Sequence, residues 1–396
     1  MKTSVSPRSF DDIDLFSDAL LDDPYPAYAS LRDEASAVWL PTTGVWAIPR
    51  YREVREILGD WERFTSAEGV GFNDDVNAAM AGTVLASDPP LHDTLRGVLA
   101  ERLSPRALRK LSVDIRSQAD ALVDRLVRRG SFDAVGDLAQ VFPPSIVADL
   151  IGIPHDVRPR LLPWGDGWFN AMGPRNARMA DAFPLVNEQF GWLHSVQGTD
   201  LLEGSMGRAI FEAADAGLIE RASAPILLAA YTSAAMDTTV NAIGSAVWLF
   251  TRFPEQWDLL RADASLIPAA FNEVLRLESP VQSFTRVTRQ PVEFDGVQVP
   301  AGARVVVMYG SANRDERHYG DTAGTFDITR DAADHLAFGY GLHGCAGQGL
   351  ARLEAHAVLA SLAERVTRFI PAGEPTRHLN NTVRGLAEMN ITVETI

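Results

Sequence analysis

The sequence predicts a mainly α-helical fold with a minor β portion, and three observations support this interpretation. Apolar residues recur at helical spacing over most of the chain from Leu95 to about Ile226. Two short hairpin patterns lie outside that region. Of the 396 residues, 46% are apolar, which is enough for a large buried core, and no repeat or linker-like run divides them. We therefore expect a single domain over residues 1–396.

The individual elements follow in chain order. Ala37–Leu40 and Val45–Ile48 flank a Pro-Thr-Thr-Gly turn, which predicts a hairpin, and Tyr51–Leu58 then has helical spacing. Val292–Phe294 and Val297–Val299 flank an Asp-Gly pair, the turn typical of a two-residue hairpin. These hairpins supply the minor β portion.

The segment Pro225–Phe250 is the most informative helical stretch. Its first half is mostly apolar, and Asp237, Thr238 and Thr239 then interrupt the pattern before apolar residues resume. A carboxylate in the middle of a buried helix costs free energy unless it is satisfied or used. The residues alone leave two interpretations open: one long helix with a functional carboxylate, or a capped break between two shorter helices.

Charge and cysteine content argue against several classes of function. With 36 basic and 52 acidic side chains the formal net charge is −16, which argues against a nucleic-acid partner. The single cysteine cannot form an intramolecular disulfide, which suits a reducing compartment. Residues 1–20 lack the apolar region of a signal peptide, and the sequence has no uninterrupted apolar window of about 18 residues. We expect a cytoplasmic protein without a membrane partner.

The strongest motif is the run Phe-Gly-Tyr-Gly-Leu-His-Gly-Cys-Ala-Gly at residues 338–347, here called the cysteine loop. Its glycines let the backbone turn tightly and approach a flat partner. Gln348–Val366 follows with helical spacing, so Cys345 precedes a helix N-terminus, where unpaired N–H groups favour a thiolate. Taken alone, a single cysteine is more often a small buried apolar side chain than a ligand.

This run resembles the haem-binding loop of the cytochrome P450 family, F-G-x-G-x-H-x-C-x-G, at all six fixed positions. The resemblance implies the cytochrome P450 fold, haem b as cofactor and Cys345 as the thiolate ligand of its iron. It also implies a soluble bacterial-type monooxygenase that inserts one atom of O2 into an organic substrate. Two alternatives stay open: a haem-thiolate protein that uses peroxide or rearranges its substrate, and a haem-binding sensor without turnover. A hydrolase with a cysteine nucleophile is a remote alternative.

Three further motifs agree with the resemblance. Glu273 and Arg276 form the family's E-x-x-R pattern, and Arg330 lies in a stretch that resembles the segment supplying a second arginine. The resemblance implies that these three residues support the fold and take no part in catalysis.

The second motif concerns the cofactor's propionates. The run Asp-Pro-Pro-Leu-His that ends at His92, followed by Arg96, resembles the family's D-P-P-x-H-x-x-x-R. This resemblance implies that His92 and Arg96 bind the haem propionates, because both are cationic or donating groups on one helical face. Arg286 and His343 are the other propionate candidates.

Residues 234–239 resemble the family's oxygen-binding motif A-G-x-D/E-T-T, with Ala235 in place of the usual glycine. The resemblance implies catalytic roles for Thr238, as the hydroxyl that hydrogen-bonds bound oxygen, and for Asp237, as a proton relay. Because glycine normally eases the local helix distortion, the alanine at position 235 bears on the geometry of this site.

The electrons are expected to come from partner proteins, because the chain has no recognisable flavin or nicotinamide domain. A ferredoxin and a ferredoxin reductase are the usual donors in this class. Four basic residues form a local cluster: Arg102, Arg106, Arg109 and Lys110. The sequence leaves open whether this cluster docks an acidic ferredoxin or is an ordinary solvated helix face.

The segments that correspond to substrate recognition in this family contain several aromatic residues, which suggests a compact pocket for a flat ligand. The candidate residues are Val70, Phe72, Trp164, Trp168, Phe169, Met172, Phe183, Ala230, Ser233, Val281 and Phe284. Four short stretches, at residues 64–71, 168–171, 279–282 and 380–386, resemble bacterial enzymes that oxidise and O-demethylate para-substituted benzoates.

Glu68 stands where those benzoate oxidisers place an arginine that helps bind the substrate carboxylate. The sequence has no Lys or Arg between Arg63 and Arg96. A buried carboxylate without a partner costs several kcal/mol, so we expect Glu68 to disfavour a benzoate and to accept a hydrogen bond from a neutral phenol. O-demethylation of a lignin-derived methoxyphenol is the leading substrate hypothesis, and hydroxylation of another small neutral aromatic compound or of a terpenoid is the alternative.

Overall fold

The computed structural model describes residue 10 and residues 13–396. Of these described residues, 54% are helical and 14% lie in strands, which confirms the predicted mainly α-helical class. The α-helices are α1 Asp18–Asp22, α2 Tyr25–Glu34, α3 Tyr51–Gly59, α4 Asp74–Met80, α5 Leu91–Arg102, α6 Pro105–Arg129, α7 Phe142–Ile151, α8 Leu161–Ala171, α9 Ala177–Ser195, α10 Met206–Asp215, α11 Ser223–Ala234, α12 Asp237–Arg252, α13 Pro254–Ala262, α14 Ile267–Glu278, α15 Tyr309–Ala312, α16 Glu316–Tyr319 and α17 Gln348–Ala363. The strands are β1 Val38–Leu40, β2 Val45–Ile48, β3 Phe64–Thr65, β4 Ser131–Asp133, β5 Ser283–Thr288, β6 Val292–Phe294, β7 Val297–Val299, β8 Arg304–Met308, β9 Val366–Pro371, β10 Thr376–Leu379, β11 Arg384–Glu388 and β12 Asn390–Thr395.

Both predicted hairpins are present. Strands β1 and β2 pair antiparallel, and β6 pairs with β7 so that Glu293 lies opposite Gln298. The second turn has positive φ at Asp295 (47°) and at Gly296 (88°), as a tight two-residue hairpin requires. The largest sheet has the order β1-β2-β8-β5-β3, and the smaller sheets are β4-β12-β9, β10-β11 and β6-β7. The first hairpin is therefore the edge of the largest sheet, and the second is a two-stranded sheet of its own.

The largest apolar core lies among helices α5 to α14 and α17. Trp257 of α13 is fully buried in it, and its ring lies 4.9 Å from Phe250 and 4.8 Å from Phe369, measured between centroids. The indole Nε1 donates to the carbonyl of Val366 at 3.2 Å, so the one polar atom of this ring is satisfied. A second core packs the main sheet against α3 and includes Ile48 of β2.

The segment Pro225–Phe250, for which one long helix and two shorter helices were both open, is divided in two. Helix α11 ends at Ala234 and α12 begins at Asp237, so the interpretation as a single continuous helix is wrong and the interpretation with a break is correct. The break is not capped by a side chain: the backbone of Met236 turns to φ −114°, and the Thr238 hydroxyl donates to the Ala234 carbonyl at 3.2 Å. The polar residues therefore lie at the start of a new helix.

The helix after the cysteine loop is shorter than predicted. Helix α17 ends at Ala363, whereas the periodicity extended to Val366. Val366 instead begins β9 and lies opposite Thr395 of β12. Val366 would be buried in a strand as well as in a further turn of helix, so apolar spacing alone cannot distinguish the two.

Among the described residues, Ala134–Ile151 has the length and the mean hydropathy, 1.2, of a membrane span. It is not one continuous α-helix, because a π-helix covers Ala134–Ala139 and α7 begins at Phe142. Of this stretch 56% is buried inside the protein, and its residues Val135 and Leu138 belong to the largest core. This is the pattern of a core segment.

A buried ion pair joins α14 to the irregular chain that precedes the cysteine loop. Glu273 and Arg276 are both 0% exposed, and their charged groups approach to 2.7 Å. The Arg276 guanidinium also donates to the carbonyls of Asn313 and Ala323, at 2.7 and 2.6 Å. Arg330 contacts Glu273 at 3.3 Å, so the three residues expected to support the fold lie together.

Glu354 of α17 is the opposite case, a fully buried acid whose two carboxylate oxygens have no hydrogen-bond partner among the described residues. Burial raises the pKa of this carboxyl well above its ordinary value. The folded protein therefore keeps a proton on Glu354 at a pH where the unfolded chain would release it. The contribution of Glu354 to the free energy of unfolding is complete below about pH 4.3, the pKa of a glutamate in the unfolded chain, and is lost as the pH rises above that value.

Replacing Glu354 should reveal this pH dependence. We expect Glu354→Gln to be more stable than the unmodified protein above about pH 6, with a difference that grows by up to about 1.4 kcal/mol per pH unit, because glutamine has no proton to lose. Thermal unfolding midpoints measured across the pH range would test this. Glu273→Gln is the control: it breaks a paired carboxylate and should destabilise by about 3–5 kcal/mol. Identical pH profiles for Glu354→Gln and the unmodified protein would contradict the prediction.

Candidate functional site

A cavity with a volume of about 320 Å³ lies between the α11–α12 break and the cysteine loop. Residues of the helix break and its neighbours line one side of the cavity, among them Ala230, Ser233, Ala234, Ala235, Thr238 and Thr239. Residues of the cysteine loop line the opposite side, among them Phe338, Gly339, His343, Cys345, Ala346 and Gly347. A third wall consists of Met80, Thr83, Val84, Leu85, Trp168, Phe169, Met172, Val281 and Phe284. The cavity therefore has the predicted oxygen motif on one side and the predicted thiolate on the other.

The cysteine loop is shaped by left-handed glycines. Gly339 and Gly341 have φ of 69° and 68°, and a Cβ on Gly341 would collide with the Leu58 carbonyl. The Cys345 N–H donates to the Phe338 carbonyl at 2.8 Å, which closes the loop. Burial raises the pKa of the Cys345 thiol, whereas the backbone N–H of Gly347 at the start of α17 lowers it. The loop thus presents a buried sulfur with N–H groups directed at it.

Four cationic or donating side chains meet at one end of the cavity, and we call His92, Arg96, Arg286 and His343 the propionate cradle. The two imidazole rings lie 4.7 Å apart between centroids. Arg96 donates to the Gly344 carbonyl at 2.5 Å, and Arg286 donates to a backbone carbonyl at 2.7 Å. Burial, and then the nearby charges of Arg286, His92 and Arg96, lower the pKa of His343 to about 3. The cradle therefore concentrates positive charge.

The cradle fits a cofactor with two carboxylates. The Nε2 atoms of His92 and His343 are buried without a hydrogen-bond partner, and neither Arg96 nor Arg286 pairs with a carboxylate that the structure describes. Buried polar groups without a partner are expensive, and the two guanidiniums, as well as any ring nitrogen that carries a proton, can donate to carboxylates. Haem b supplies two propionates at its edge and an iron atom that a thiolate can ligate, so the residues present fit this group.

The two predicted catalytic residues face different ways. Thr238 lines the cavity, whereas Asp237 directs its carboxyl toward α8, where a Cβ on Gly165 would lie 2.7 Å from Oδ2. Burial, and to a lesser extent the charge of Asp166, raise the pKa of Asp237 well above its ordinary value. Asp237 is thus a buried neutral acid directly behind a hydroxyl that faces the cavity.

The cavity brings together seven of the expected substrate residues: Trp168, Phe169, Met172, Ala230, Ser233, Val281 and Phe284. Ser233 is held from behind by α9, because its hydroxyl donates to Gln189 Oε1 at 3.2 Å. The C-terminal turn of α8 is fixed to the chain between β10 and β11, since Asn381 donates to the Asn170 carbonyl at 2.8 Å. These contacts hold the wall in place.

The expectation for Glu68 is wrong, because its side chain is exposed and does not line the cavity. The following turn sets this direction: Gly69 has φ of 128°, and Asn77 Oδ1 accepts hydrogen bonds from the N–H groups of Val70 and Gly71. The loop closes around Asn77 and leaves Glu68 on the outside. The predicted repulsion between Glu68 and a substrate carboxylate is therefore not supported.

Four other expected substrate residues also lie outside the cavity lining. Val70 is fully buried behind Trp168 in an apolar cluster, and Phe72 packs edge-on against Phe16 at 4.8 Å. Trp164 is buried in the core, and Phe183 is exposed on α9. All four are apolar or aromatic residues of the kind that line pockets, but the packing of the segments that carry them directs their side chains away from the cavity.

Some residues of the site escaped the sequence analysis. Thr83 and its neighbours line the cavity, and Gln189 positions Ser233 although it lies 44 residues away in the chain. Gly165, inside α8, allows the Asp237 carboxyl to approach. The signal for this contact was the glycine itself, because glycine inside a helix costs about 1 kcal/mol relative to alanine and so indicates close packing.

Comparison with known proteins covers almost the whole chain. A family model described as Cytochrome P450 matches residues 235–390. The cytochrome P450 CYP199A2 of Rhodopseudomonas palustris is 39% identical over 384 residues, which cover 96% of this chain and 93% of that protein. The cytochrome P450 monooxygenase PikC of Streptomyces venezuelae is 32% identical, covering 93% and 91%. The solved structure of cytochrome P450 CYP109Q5 from Chondromyces apiculatus superposes with a TM-score of 0.78 at 27% identity, covering 97% and 98%.

The thiolate assignment can be tested by spectroscopy. Cys345→Ala should abolish the red-shifted Soret band of the reduced, CO-bound protein, because the variant has no sulfur to ligate the iron. Thr238→Ala is the matched control: it changes the opposite wall and should retain that band. Absorbance spectra of both purified variants give the answer. If Cys345→Ala kept the red-shifted band, another residue would have to be the ligand.

Proposed function

The chain belongs to the cytochrome P450 family and is a monooxygenase, and from that premise we propose that it O-demethylates or hydroxylates a small neutral aromatic compound. A lignin-derived methoxyphenol is the leading candidate. Haem b, when held by Cys345 and the propionate cradle, supplies the activation of O2. The residues around it select the substrate, exclude water and move protons.

The charge distribution of the cavity supports a neutral substrate. Among the described residues that line it, the Arg and Lys side chains are Arg96 and Arg286, and both belong to the propionate cradle. The remaining wall consists of apolar side chains and hydroxyls. A substrate carboxylate would be desolvated there without a cation, which costs several kcal/mol. The preference for a neutral ligand therefore rests on the wall itself and not on Glu68.

The observation that carries the proposal is the direction of the hydrogen bonds behind Ser233. The Thr232 hydroxyl donates to the Leu228 carbonyl at 3.3 Å, so its oxygen is left to accept from Gln189 Nε2 at 2.8 Å. Gln189 then turns its carbonyl oxygen toward Ser233, which donates its only hydroxyl proton. The Ser233 oxygen can therefore only accept from a ligand in the cavity. A phenol O–H donates such a bond, and an ionised carboxylate cannot.

The shape of the wall supports an aromatic ligand. Trp168, Phe169 and Phe284 all line the cavity, and Trp168 is held edge-on by Phe190 at 5.4 Å. Flat rings pack favourably against such faces and edges, with about 0.5–1.5 kcal/mol beyond the buried area. A methoxyphenol presents one ring, one donating hydroxyl and one methyl group to this wall.

Proton handling falls to the residues of the α11–α12 break. The Thr238 hydroxyl lies in the cavity, and the buried neutral acid Asp237 lies behind it. This arrangement can hold a proton in a place that bulk water does not reach and pass it to the hydroxyl. Ala235 adds one methyl group to the cavity wall where relatives of this family have glycine. A sensor without turnover would need no such pair.

Hydroxylation of a terpenoid is the second candidate. It is supported by the aliphatic part of the wall, which includes Val84, Leu85, Met172 and Val281. A saturated ligand would pack against these side chains but would leave the Ser233 oxygen without a donor, which is why we rank the phenol first.

Bacterial members of this family take electrons from partner proteins such as a ferredoxin and its reductase, and we propose that an acidic ferredoxin docks on the basic cluster in the cytoplasm. The N-terminal turns of α6 pack closely against the start of α17: a Cβ placed on Gly349 would lie 2.7 Å from Leu108. Arg106, Arg109 and Lys110 are exposed beside this contact and pair with no carboxylate that the structure describes. A docked donor would therefore lie close to the cysteine loop.

The substrate proposal makes a prediction about Ser233. We expect 4-methoxyphenol to shift the haem Soret band at a concentration at least about 100-fold lower than 4-methoxybenzoate, because the benzoate buries an unpaired charge. Ser233→Ala should weaken binding of the phenol by about fivefold, the effect of one lost hydrogen bond. Optical titrations of both proteins with both ligands provide the measurement.

Two controls separate the hydrogen bond from general packing. Methoxybenzene lacks the hydroxyl, so Ser233→Ala should leave its affinity unchanged. Glu68→Gln should change no affinity, because that side chain is exposed outside the cavity. Equal affinity of the unmodified protein for the phenol and the benzoate would refute the proposal.

The docking proposal makes a prediction about charge. Arg109→Glu combined with Lys110→Glu should raise the KM for a surrogate acidic ferredoxin by about tenfold at low salt, with the difference shrinking as salt screens the charges. Arg125→Glu is the matched control, since this exposed residue lies on the same helix about 24 Å away. Steady-state NADH oxidation at several salt concentrations measures both. Equal effects of the two charge reversals would assign the cluster to a solvated face.

A further inference from the structure

A histidine and a carboxylate are in contact at the surface of the protein, beside the turn of α8 that packs against Asp237. His378 of β10 and Asp166 of α8 lie 212 residues apart in the chain, and their Nε2 and Oδ1 atoms are 2.6 Å apart. Both side chains are about one-third exposed, at 36% and 35%. Asp166 directly follows Gly165, the residue against which the Asp237 carboxyl rests. The pair is therefore reached by solvent and lies one residue along α8 from the contact with Asp237.

Because residue 165 is a glycine, no side chain separates the Asp237 carboxyl from the backbone of α8. A Cβ on Gly165 would lie 2.7 Å from Asp237 Oδ2 and 3.1 Å from the Ser233 carbonyl, so only glycine leaves room there. Asp237 Oδ2 is itself buried and has no hydrogen-bond partner in the part of the chain that is described. An unpartnered acid oxygen is thus aimed at the turn of α8 that carries Asp166.

We propose that His378 and Asp166 form the route by which protons from solvent reach Asp237. This inference rests on the proposed role of Asp237 in the reaction. His378 and Asp166 act through Asp237 and touch neither substrate nor cofactor, so they are positioning and relay residues.

The proton balance of the route is simple. Thr238 gives its hydroxyl proton to the reaction in the cavity and takes the proton of Asp237 in its place, which leaves Asp237 as a carboxylate. His378 hands the proton on its Nε2 to Asp166, and Asp166 passes a proton past Gly165 to Asp237. His378 takes a replacement proton from water at the surface. No electrons move, one proton passes from water to the cavity, and each of the four side chains returns to its starting state.

The electrostatics support this direction of transfer. Burial raises the pKa of Asp166, but the hydrogen bond from His378, the charge of His378 and the amide of Asn380 together lower it below its ordinary value. Its negative charge in turn adds to burial in raising the pKa of Asp237. A charged outer acid next to a neutral inner acid keeps the inner position loaded with a proton.

The pair also has a structural role, because Asn380 donates to Asp166 at 2.7 Å and so joins α8 to the segment that follows β10. Asn170, on α8 itself, donates to the other carboxylate oxygen at 3.3 Å. The test must therefore separate proton supply from packing. The chain offers a matched control in His318 and Asp334, a second exposed pair at 2.7 Å that packs beside Tyr51, outside the cavity lining.

The experiment compares His378→Gln, Asp166→Asn and His318→Gln in the haem-loaded protein with a surrogate ferredoxin system. We expect the first two to lower product formed per NADH by about threefold, to release the difference as hydrogen peroxide and to raise the solvent isotope effect on kcat. His318→Gln should match the unmodified protein. Unchanged coupling and isotope effect in His378→Gln would overturn the proposal.

A second readout needs no turnover. The infrared carbonyl band of protonated Asp237, identified by its loss in Asp237→Asn, should shift in Asp166→Asn and in His378→Gln but not in His318→Gln. A lowered unfolding midpoint with an unmoved band would show that the pair only joins α8 to β10 and would overturn the proposal. If Asp237→Asn itself kept full coupling, the proposed role of Asp237 would fail, which is a separate outcome from failure of the His378 route alone.

Discussion

The ion pair between Glu273 and Arg276 is the interaction on which the rest of the site depends. Both side chains are completely buried, so neither charge is tolerable without the other and without the backbone carbonyls that complete the guanidinium. Those carbonyls, together with that of Thr325, belong to the turns on either side of the short helix α16, and Glu273 also accepts from the N–H of Asp327 at 3.2 Å. The pair thereby holds the turns around α16 in one position, and that part of the chain leads into the cysteine loop.

The charges of the site are sorted by position within the cavity. The propionate cradle concentrates cations at one end, the substrate wall presents only apolar groups and hydroxyls, and the acid Asp237 is buried neutral behind the helix break. The chain as a whole, by contrast, has a formal net charge of −16. Because buried charges are costly one by one, the cradle fits the propionates of haem, the acid holds a proton, and the substrate we propose for the uncharged wall is a neutral ring.

The cysteine loop and the helical class were readable from the sequence because both depend on local rules. A thiolate ligand needs glycines and a helix N-terminus at fixed short spacing, and the pairing of Glu273 with Arg276 needs only one turn of helix. The break before Asp237 was half readable: polar residues in an apolar helix indicated an interruption or a function, and the structure shows the interruption.

The chain by itself therefore determined the family, the cofactor and the identity of the groups around it, while tertiary structure decided which side chains face the cavity. Glu68 is turned outward by Asn77, and the loop is fixed by a hydrogen bond from the Thr285 N–H to the Val70 carbonyl, a contact more than 200 residues long. Gln189 reaches Ser233, and His378 reaches Asp166, only because separate elements pack together. The physical reason is that side-chain direction in a loop or at a helix crossing is set by distant packing partners, which no local pattern records.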